Sequence, residues 1–139
     1  MLPSPLKQSN RATAPTGKTM SKKKILLVDD ESGFTRLLRL TLPAYEIREE
    51  NNPLKAVQTA KDFKPDMIFL DVIMPEADGG TIAAQMKEDP ALKNVPIVFL
   101  TAIVSKGEAK SGHEIGGCEF LAKPVSRDQV DECIRKHLG

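Results

Sequence analysis

Residues 24–31 of the 139-residue chain have the sequence KILLVDDE, in which an apolar run ends directly in acidic residues. Four consecutive apolar residues, Ile25–Val28, are typical of a parallel strand that is buried on both faces of a sheet. Similar or shorter runs that predict strands follow at Tyr45–Arg48, Met67–Leu70, Ile97–Leu100 and Phe120–Ala122. The sequence therefore predicts five strands, of which Ile25–Val28 is the first. The residues that follow each strand are candidates for a functional site.

Between these strands, apolar residues recur at the spacing of amphipathic helices. The clearest stripes are Phe34, Leu37, Leu38, Thr41 and Leu42 in the first helix and Val130, Cys133, Ile134, His137 and Leu138 in the last. Ser126 and Gln129 have the spacing of a capping box at the start of that last helix. Strand and helix therefore alternate along the chain.

Two further helix starts carry turn residues. Asn52-Pro53 predicts the start of the second helix, with Leu54, Val57 and Ala60 on one face, and Asp78-Gly79-Gly80 turns the chain into the third. The fourth predicted helix, 106–114, contains two glycines, each of which costs about 1 kcal/mol relative to alanine. We expect that helix to be short, frayed or displaced, or to be a solvent-exposed loop.

Five β-α repeats predict a doubly wound α/β domain, with a five-stranded parallel sheet and right-handed crossovers that place helices on both faces. We assign residues 20–139 to this domain. Residues 1–19 contain three prolines and no apolar periodicity, which predicts a disordered N-terminal extension, a leader left from expression or a mis-assigned start.

Composition excludes several classes of function. The formal net charge of +1 comes from 20 basic and 19 acidic residues, so there is no electrostatic case for binding nucleic acid or a membrane surface. The apolar runs are far shorter than a bilayer span. Two cysteines, Cys118 and Cys133, make no disulfide framework, and we expect them to be buried as small hydrophobic residues in a reducing, cytoplasmic setting.

Chemistry-bearing residues follow the predicted strands. Asp29-Asp30 ends the first strand, Asp71 the third, Thr101 the fourth and Lys123 the fifth, whereas Asn51-Asn52 at the end of the second strand carries little chemistry. Ligands of doubly wound sheets bind at the carboxyl ends of the strands. Three carboxylates there are costly unless a hard cation such as Mg²⁺ relieves their repulsion. A helix-capping role for Asp29 or Asp30 is the alternative.

This arrangement resembles the receiver domain of two-component response regulators, of the stand-alone CheY-like kind, over residues 24–138. The resemblance rests on four motifs, each at a strand end: Ile25–Glu31; Pro65–Asp71 with Met74-Pro75 and Gly79; Val98–Ala102; and Phe120–Pro124. Each motif is weak alone, but the four in this order are highly specific. The resemblance implies a flavodoxin-like strand order of 2-1-3-4-5.

The resemblance also implies a site chemistry. Asp71 would be the phospho-acceptor, taking a phosphoryl group from the phosphohistidine of a sensor histidine kinase or histidine phosphotransferase. Asp30, Asp71 and the backbone carbonyl of Ile73 would hold Mg²⁺, for which Mn²⁺ can substitute, and Asp29 would act mainly through a bound water. The domain would be a signalling module rather than an enzyme, since it catalyses only its own phosphorylation and dephosphorylation.

The resemblance implies that three further residues respond to phosphorylation of Asp71. Thr101 would hydrogen-bond a phosphoryl oxygen and Lys123 would pair with it, and their contacts would rotate the aromatic switch residue, here Phe120. The output surface would be built from the fourth helix, fifth strand and fifth helix and would bind a downstream protein. Phe120 lacks a tyrosine hydroxyl, so it cannot hydrogen-bond when buried.

Two positions depart from what rapid hydrolysis requires. In this family the residues two after the phospho-acceptor and two after the threonine tune hydrolysis, and here they are Ile73 and Ile103. Neither side chain can orient a water by hydrogen bonding, which predicts a long-lived phosphoryl group. The alternative is that both isoleucines only pack in their loops.

Competing functions leave different signatures. A receiver-like scaffold that signals without phosphorylation would keep the fold. A haloacid-dehalogenase-type phosphatase would need a second acid two residues after the nucleophile, where this chain has Ile73. A flavodoxin or nucleotide-binding module would need a glycine-rich loop after the first strand, where this chain has Asp29-Asp30. The domain either stands alone, which we favour, or derives from a longer protein.

Overall fold

The structure is a computed structural model that describes residues 22–75, 77–101 and 119–139. The predicted N-terminal extension, 1–19, lies outside the described residues. So do the fourth predicted helix, 106–114, and the side chains of Ile103 and Cys118.

A five-stranded parallel sheet forms the centre of the domain. In chain order the strands are β1 (Lys24–Val28), β2 (Glu46–Glu50), β3 (Met67–Asp71), β4 (Ile73–Met74), β5 (Ala77–Asp78), β6 (Ile97–Thr101) and β7 (Glu119–Ala122). β4 and β5 pair with each other as a small antiparallel ladder that the sequence did not predict. The main sheet has the order β2-β1-β3-β6-β7, which confirms the predicted order 2-1-3-4-5 when its own strands are counted.

Helices cover both faces of this sheet. They are α1 (Ser32–Thr41), α2 (Ala56–Phe63), α3 (Gly79–Glu88) and α4 (Arg127–Leu138), the last being the fifth helix predicted from the sequence. The predicted capping box is present, because the Ser126 hydroxyl accepts from the Gln129 amide and the Gln129 side chain accepts from the Ser126 amide. No helix in the described part of the chain is long and apolar enough to cross a bilayer.

The alternation of side chains along each strand divides the core into two layers. Leu26 and Val28 of β1 point towards α2 and α3, where they join the buried Phe99 and Phe120. Ile25 and Leu27 of β1 point towards α1 and α4, where the buried Cys133 lies. Both faces of the central strands are therefore buried from solvent, which confirms the doubly wound architecture.

Two leucines predicted to face the core are instead exposed. Leu37 is 61% exposed, and the buried residues of α1 are Thr35 and Leu38, because a residue one position before Leu38 is rotated by about 100° from it. Leu54 is 69% exposed, since it lies in a 3₁₀ turn, Pro53–Lys55, that precedes α2 and has a tighter repeat.

Gly79 marks a close approach between α3 and the end of β3. Its amide donates to the Val72 carbonyl at 2.9 Å. A Cβ at this position would lie 2.7 Å from the Val72 Cα and would also overlap the Asp71 carbonyl oxygen. A glycine therefore lets the helix begin directly against the strand that carries Asp71.

We expect Gly79→Ala to destabilise the protein by about 1–3 kcal/mol, because the backbone after Asp71 must shift to accept the methyl group. Gly33→Ala is the matched control, since nothing lies within 4 Å of a Cβ at that helical position. We expect it to leave stability equal or higher. Urea denaturation measures both variants, and equal stability of the two would contradict the close approach.

Candidate functional site: an acidic cleft at the carboxyl edge of the sheet

The register of the parallel strands brings the predicted site residues to one edge. Asp71 is the last residue of β3 and pairs with Leu100, one residue before Thr101 at the end of β6. Asp29 directly follows β1, whose last residue, Val28, pairs with Leu70. Residues separated by tens of positions in sequence therefore meet at the carboxyl ends of adjacent strands.

Three carboxylates form the floor of the site. Asp29 is fully buried, Asp71 is 5% exposed and Asp30 is exposed. One oxygen from each lies within 4.8 Å of the others. The cluster predicted from the sequence is thus assembled, and its oxygen donors are of the kind that Mg²⁺ and Mn²⁺ prefer.

Lys123 neutralises part of this charge. It directly follows β7, and its ammonium nitrogen lies 2.6 Å from Asp29 Oδ2, 3.0 Å from Glu31 Oε1 and 3.5 Å from Asp71 Oδ2. The same nitrogen lies 4.9 Å from the centre of the Phe34 ring, within cation–π range. The Lys123–Pro124 peptide bond is cis.

The pKa values of Asp29, Asp71 and Lys123 are all raised, for different physical reasons. Burial raises the pKa of Asp71 from 3.8 to about 6, with a further contribution from the negative charge of Asp29, against the opposing effect of Lys123. Burial also raises the pKa of Asp29, although hydrogen bonds from Lys123 and the Glu31 amide oppose it. Burial works against the charge on Lys123, but hydrogen bonds to Asp29 and Glu31 outweigh it and raise the pKa of the ammonium group. The protein groups of the site are therefore one permanent cation and two buried carboxylates that resist ionisation.

Thr101 and Phe120 lie on the strands beside this cluster. Thr101 is fully buried, and its carbonyl accepts from the Lys123 amide at 2.9 Å, which ties the end of β6 to the residue after β7. Phe120 pairs in register with Phe99 and is 8% exposed, so the aromatic ring is packed in the core.

A cleft of about 690 Å³ opens above the acids. Its walls combine charged groups with apolar surface, and they are Asp30, Glu31, Phe34, Asp71, Ile73, Lys123, Pro124 and Val125. The Ile73 side chain is 54% exposed at its rim, while the Ile73 amide donates to Asp71 Oδ1 at 3.3 Å. The cleft can therefore admit a ligand that reaches Asp71 past an apolar entrance.

Sequence reasoning missed several contributors to the site. Glu31 binds Lys123, a contact that the motif Ile25–Glu31 did not predict. Phe34 was placed in an apolar helical stripe, but it also packs against the lysine ammonium. Little chemistry was expected of Asn51, but its side-chain amide donates to the Asp29 carbonyl at 2.7 Å. Its place at a strand end was the available signal.

Comparison with known proteins identifies the family. The family model for the response regulator receiver domain matches residues 25–135. The chain is a response regulator receiver domain. Receiver domains are signalling modules of two-component systems, and the family works with histidine kinases or phosphotransferases and binds Mg²⁺ at an acidic pocket.

Individual relatives agree with this receiver domain assignment. The polar-differentiation response regulator DivK of Brucella anthropi is 32% identical over 120 residues, which cover 84% of this chain and 97% of DivK. The response regulator PleD of Caulobacter vibrioides is 39% identical over 105 residues, which cover 73% of this chain but only 23% of PleD. The structure of the Vibrio cholerae chemotaxis protein CheY4 is 25% identical with a TM-score of 0.73, covering 85% of this chain and 100% of CheY4.

Because the pKa of Asp71 is raised in the folded state, ionisation of its carboxyl group lowers the free energy of unfolding. Since the pKa is about 6 when folded and 3.8 ordinarily, the folded state binds the proton more tightly than the unfolded state does. The cost is therefore present in full above pH 6 and disappears as the pH falls towards 4.

In EDTA we expect Asp71→Asn to be more stable than the wild type by about 1–3 kcal/mol at pH 7.5 and by much less at pH 4.5. Asp62→Asn, which alters an exposed carboxylate on α2, should stay within about 0.5 kcal/mol of the wild type at both pH values. Urea denaturation gives the comparison. If Asp71→Asn shows no gain in stability, or the same gain at both pH values, the pKa of Asp71 is not raised in the folded protein.

Proposed function

We propose that Asp71 accepts a phosphoryl group from the phosphohistidine of a sensor histidine kinase or histidine phosphotransferase. The observation that carries this proposal is the position of Asp71. It lies at the end of β3, at the base of an accessible cleft, among two other carboxylates and one lysine ammonium. The partly apolar entrance beside Phe34 and Ile73 suits an imidazole ring better than a bare anion.

The donor set fits a hard divalent cation, Mg²⁺ or Mn²⁺. Asp30 and Asp71 would hold it directly, together with the backbone carbonyl of Ile73. Asp29 would act through a bound water, because both of its carboxylate oxygens already accept hydrogen bonds, from the Glu31 amide and from Lys123. When bound, the cation supplies positive charge that stabilises the phosphoryl oxygens during transfer.

The chain's own residues account for the rest of the transfer. A carboxylate oxygen of Asp71 attacks phosphorus, the bond from phosphorus to the donor imidazole nitrogen breaks, and that nitrogen keeps the electron pair. Lys123, 3.5 Å from Asp71 Oδ2, pairs with the transferred phosphoryl group, and the Thr101 hydroxyl donates to one of its oxygens. Positioning and charge neutralisation dominate such a reaction.

Release of Lys123 from its carboxylates would transmit the modification. Lys123 follows β7 directly, and Phe120 lies three residues before it, buried against the Phe99 layer. We assign Phe120 as the switch residue, and β7, α4 and the fourth predicted helix as the surface that binds a downstream protein. We assign the domain to the cytoplasm, where histidine kinases phosphorylate their partners.

Intact-mass spectrometry tests the phospho-acceptor. After incubation with acetyl phosphate or phosphoramidate and Mg²⁺, we expect the protein to gain the mass of one phosphoryl group. The gain should be absent without a divalent cation and absent in Asp71→Asn. Asp62→Asn, which keeps Asp71 and changes an exposed acid on α2, should gain the group as the wild type does.

The same experiment separates the alternatives. No gain under any condition would overturn the phospho-acceptor and favour a scaffold that signals without phosphorylation. Release of phosphate from a generic monoester over many turnovers would favour a phosphatase of the haloacid dehalogenase type. A gain that persists in Asp71→Asn would place the acceptor elsewhere.

Replacing Ile73 and Ile103 by polar residues should shorten the life of the phosphoryl group. We expect Ile73→Asn with Ile103→Gln to dephosphorylate about tenfold faster, since a hydrogen bond worth about 1.4 kcal/mol to the attacking water has that effect. Leu54→Asn is the control, because Leu54 is also an exposed apolar residue but lies on the turn before α2. Decay of the phosphorylated mass peak measures the rate, and an unchanged or slower decay would contradict the prediction.

A further inference from the structure

Every polar group of Asp29 has a protein partner. Its amide donates to the Glu50 carbonyl at 3.2 Å, and its carboxylate oxygens accept from the Glu31 amide at 2.9 Å and from Lys123 at 2.6 Å. Its carbonyl accepts from Asn51 Nδ2 at 2.7 Å. This last bond is the only one of the four that a side chain outside the acidic cleft supplies.

The amide of Asn51 is itself held in one orientation. Its second N–H donates to Thr35 Oγ1 at 3.0 Å, and Thr35, which is fully buried, donates its hydroxyl to Glu49 Oε1 at 2.7 Å. Glu49 forms an ion pair with Arg39. Burial opposes the charge on Glu49, but hydrogen bonds from Arg39 and Thr35 outweigh it and keep the pKa of Glu49 below its ordinary value. A chain of bonds thus runs from α1 through the edge strand β2 to the Asp29 carbonyl.

That carbonyl belongs to the peptide unit that joins Asp29 to Asp30. A peptide unit is planar, so a hydrogen bond to its oxygen also fixes the direction in which the next residue leaves it. Among the described residues, the exposed Asp30 side chain makes no hydrogen bond or ion pair. The position of the Asp30 carboxylate therefore depends on its backbone, and Asn51 is the side chain that holds this backbone.

We propose that Asn51 is a positioning residue for the divalent-cation site: it holds the Asp29–Asp30 peptide so that the Asp30 carboxylate lies beside Asp71. Thr35 acts through Asn51 by fixing its amide. This assignment rests on the proposed function, since Asp30 and Asp71 are the groups that would bind the cation. Side chains that orient metal ligands in this way typically contribute about 10–100-fold to metal affinity.

Calorimetric titration with Mg²⁺ tests the assignment on the full chain. We expect Asn51→Ala to raise the Kd for Mg²⁺ about tenfold relative to the wild type. Asn52→Ala is the matched control, because it removes a neighbouring asparagine whose side chain only caps the turn before α2, accepting from the Leu54 amide at 3.0 Å. We expect its Kd to stay close to that of the wild type, even though the variant loses a hydrogen bond.

A second pair of variants separates positioning from general weakening of the fold. Thr35→Val, which keeps the side-chain shape but loses the hydroxyl, should raise the Kd for Mg²⁺. Thr35→Ser, which keeps the hydroxyl, should have a Kd close to that of the wild type. In Asn51→Ala, saturating Mg²⁺ should recover most of the wild-type rate of phosphorylation by acetyl phosphate, since Asp71 and Lys123 are unchanged.

The outcomes are distinct. An Asn51→Ala variant that binds Mg²⁺ as tightly as the wild type, or no more weakly than Asn52→Ala, would overturn the positioning role and leave the proposed function intact. A Kd that rises equally in Thr35→Val and Thr35→Ser would also overturn it. A wild-type protein that binds no divalent cation would overturn the proposed function, and this assignment with it.

Discussion

The ion pair between Lys123 and Asp29 is the interaction on which the rest of the site depends. It joins residues 94 positions apart at a nitrogen–oxygen distance of 2.6 Å, and the same nitrogen lies within 3.5 Å of Asp71. Without this ammonium group, the two buried carboxylates would face each other in a region with little water, which is unfavourable for both. The lysine thus lets the fold keep an acidic cluster that it would otherwise resist forming.

The carboxylates of the cluster outnumber the single ammonium group that faces them. One ammonium group faces the three carboxylates of Asp29, Glu31 and Asp71. Burial, together with the negative charge of Asp29, therefore still raises the pKa of Asp71 despite the opposing effect of Lys123. A site of this kind gains stability when it binds a divalent cation, because binding to the folded state alone shifts the folding equilibrium. The free-energy cost of holding these carboxylates together and the affinity of such a site for a cation therefore have the same physical origin.

The fold itself was predictable because its strands are buried on both faces. Ile25–Val28 and the other apolar runs cannot be placed at a surface, and their alternation with helical stripes leaves few arrangements other than a doubly wound parallel sheet. Predictions that depended on the direction of one side chain were less secure. Leu37 fits the helical spacing as well as Leu38 does, but the buried face of α1 is the one that carries Thr35 and Leu38, where the Thr35 hydroxyl donates to the partly buried Glu49.

By itself, the sequence determined the order of the elements and the residues that follow each strand, because apolar runs and their terminal acids are local patterns. Asp29, Asp30, Asp71, Thr101 and Lys123 could be named in this way, since carboxyl ends of parallel strands meet at one edge. Only the tertiary structure decided which of them touch. Lys123 binds Asp29 and Glu31, and Asn51, directly after the edge strand β2, holds the Asp29 carbonyl. Both contacts depend on the register between strands and on side-chain reach. Neither quantity is encoded in any single stretch of sequence, because both arise when distant segments pack together.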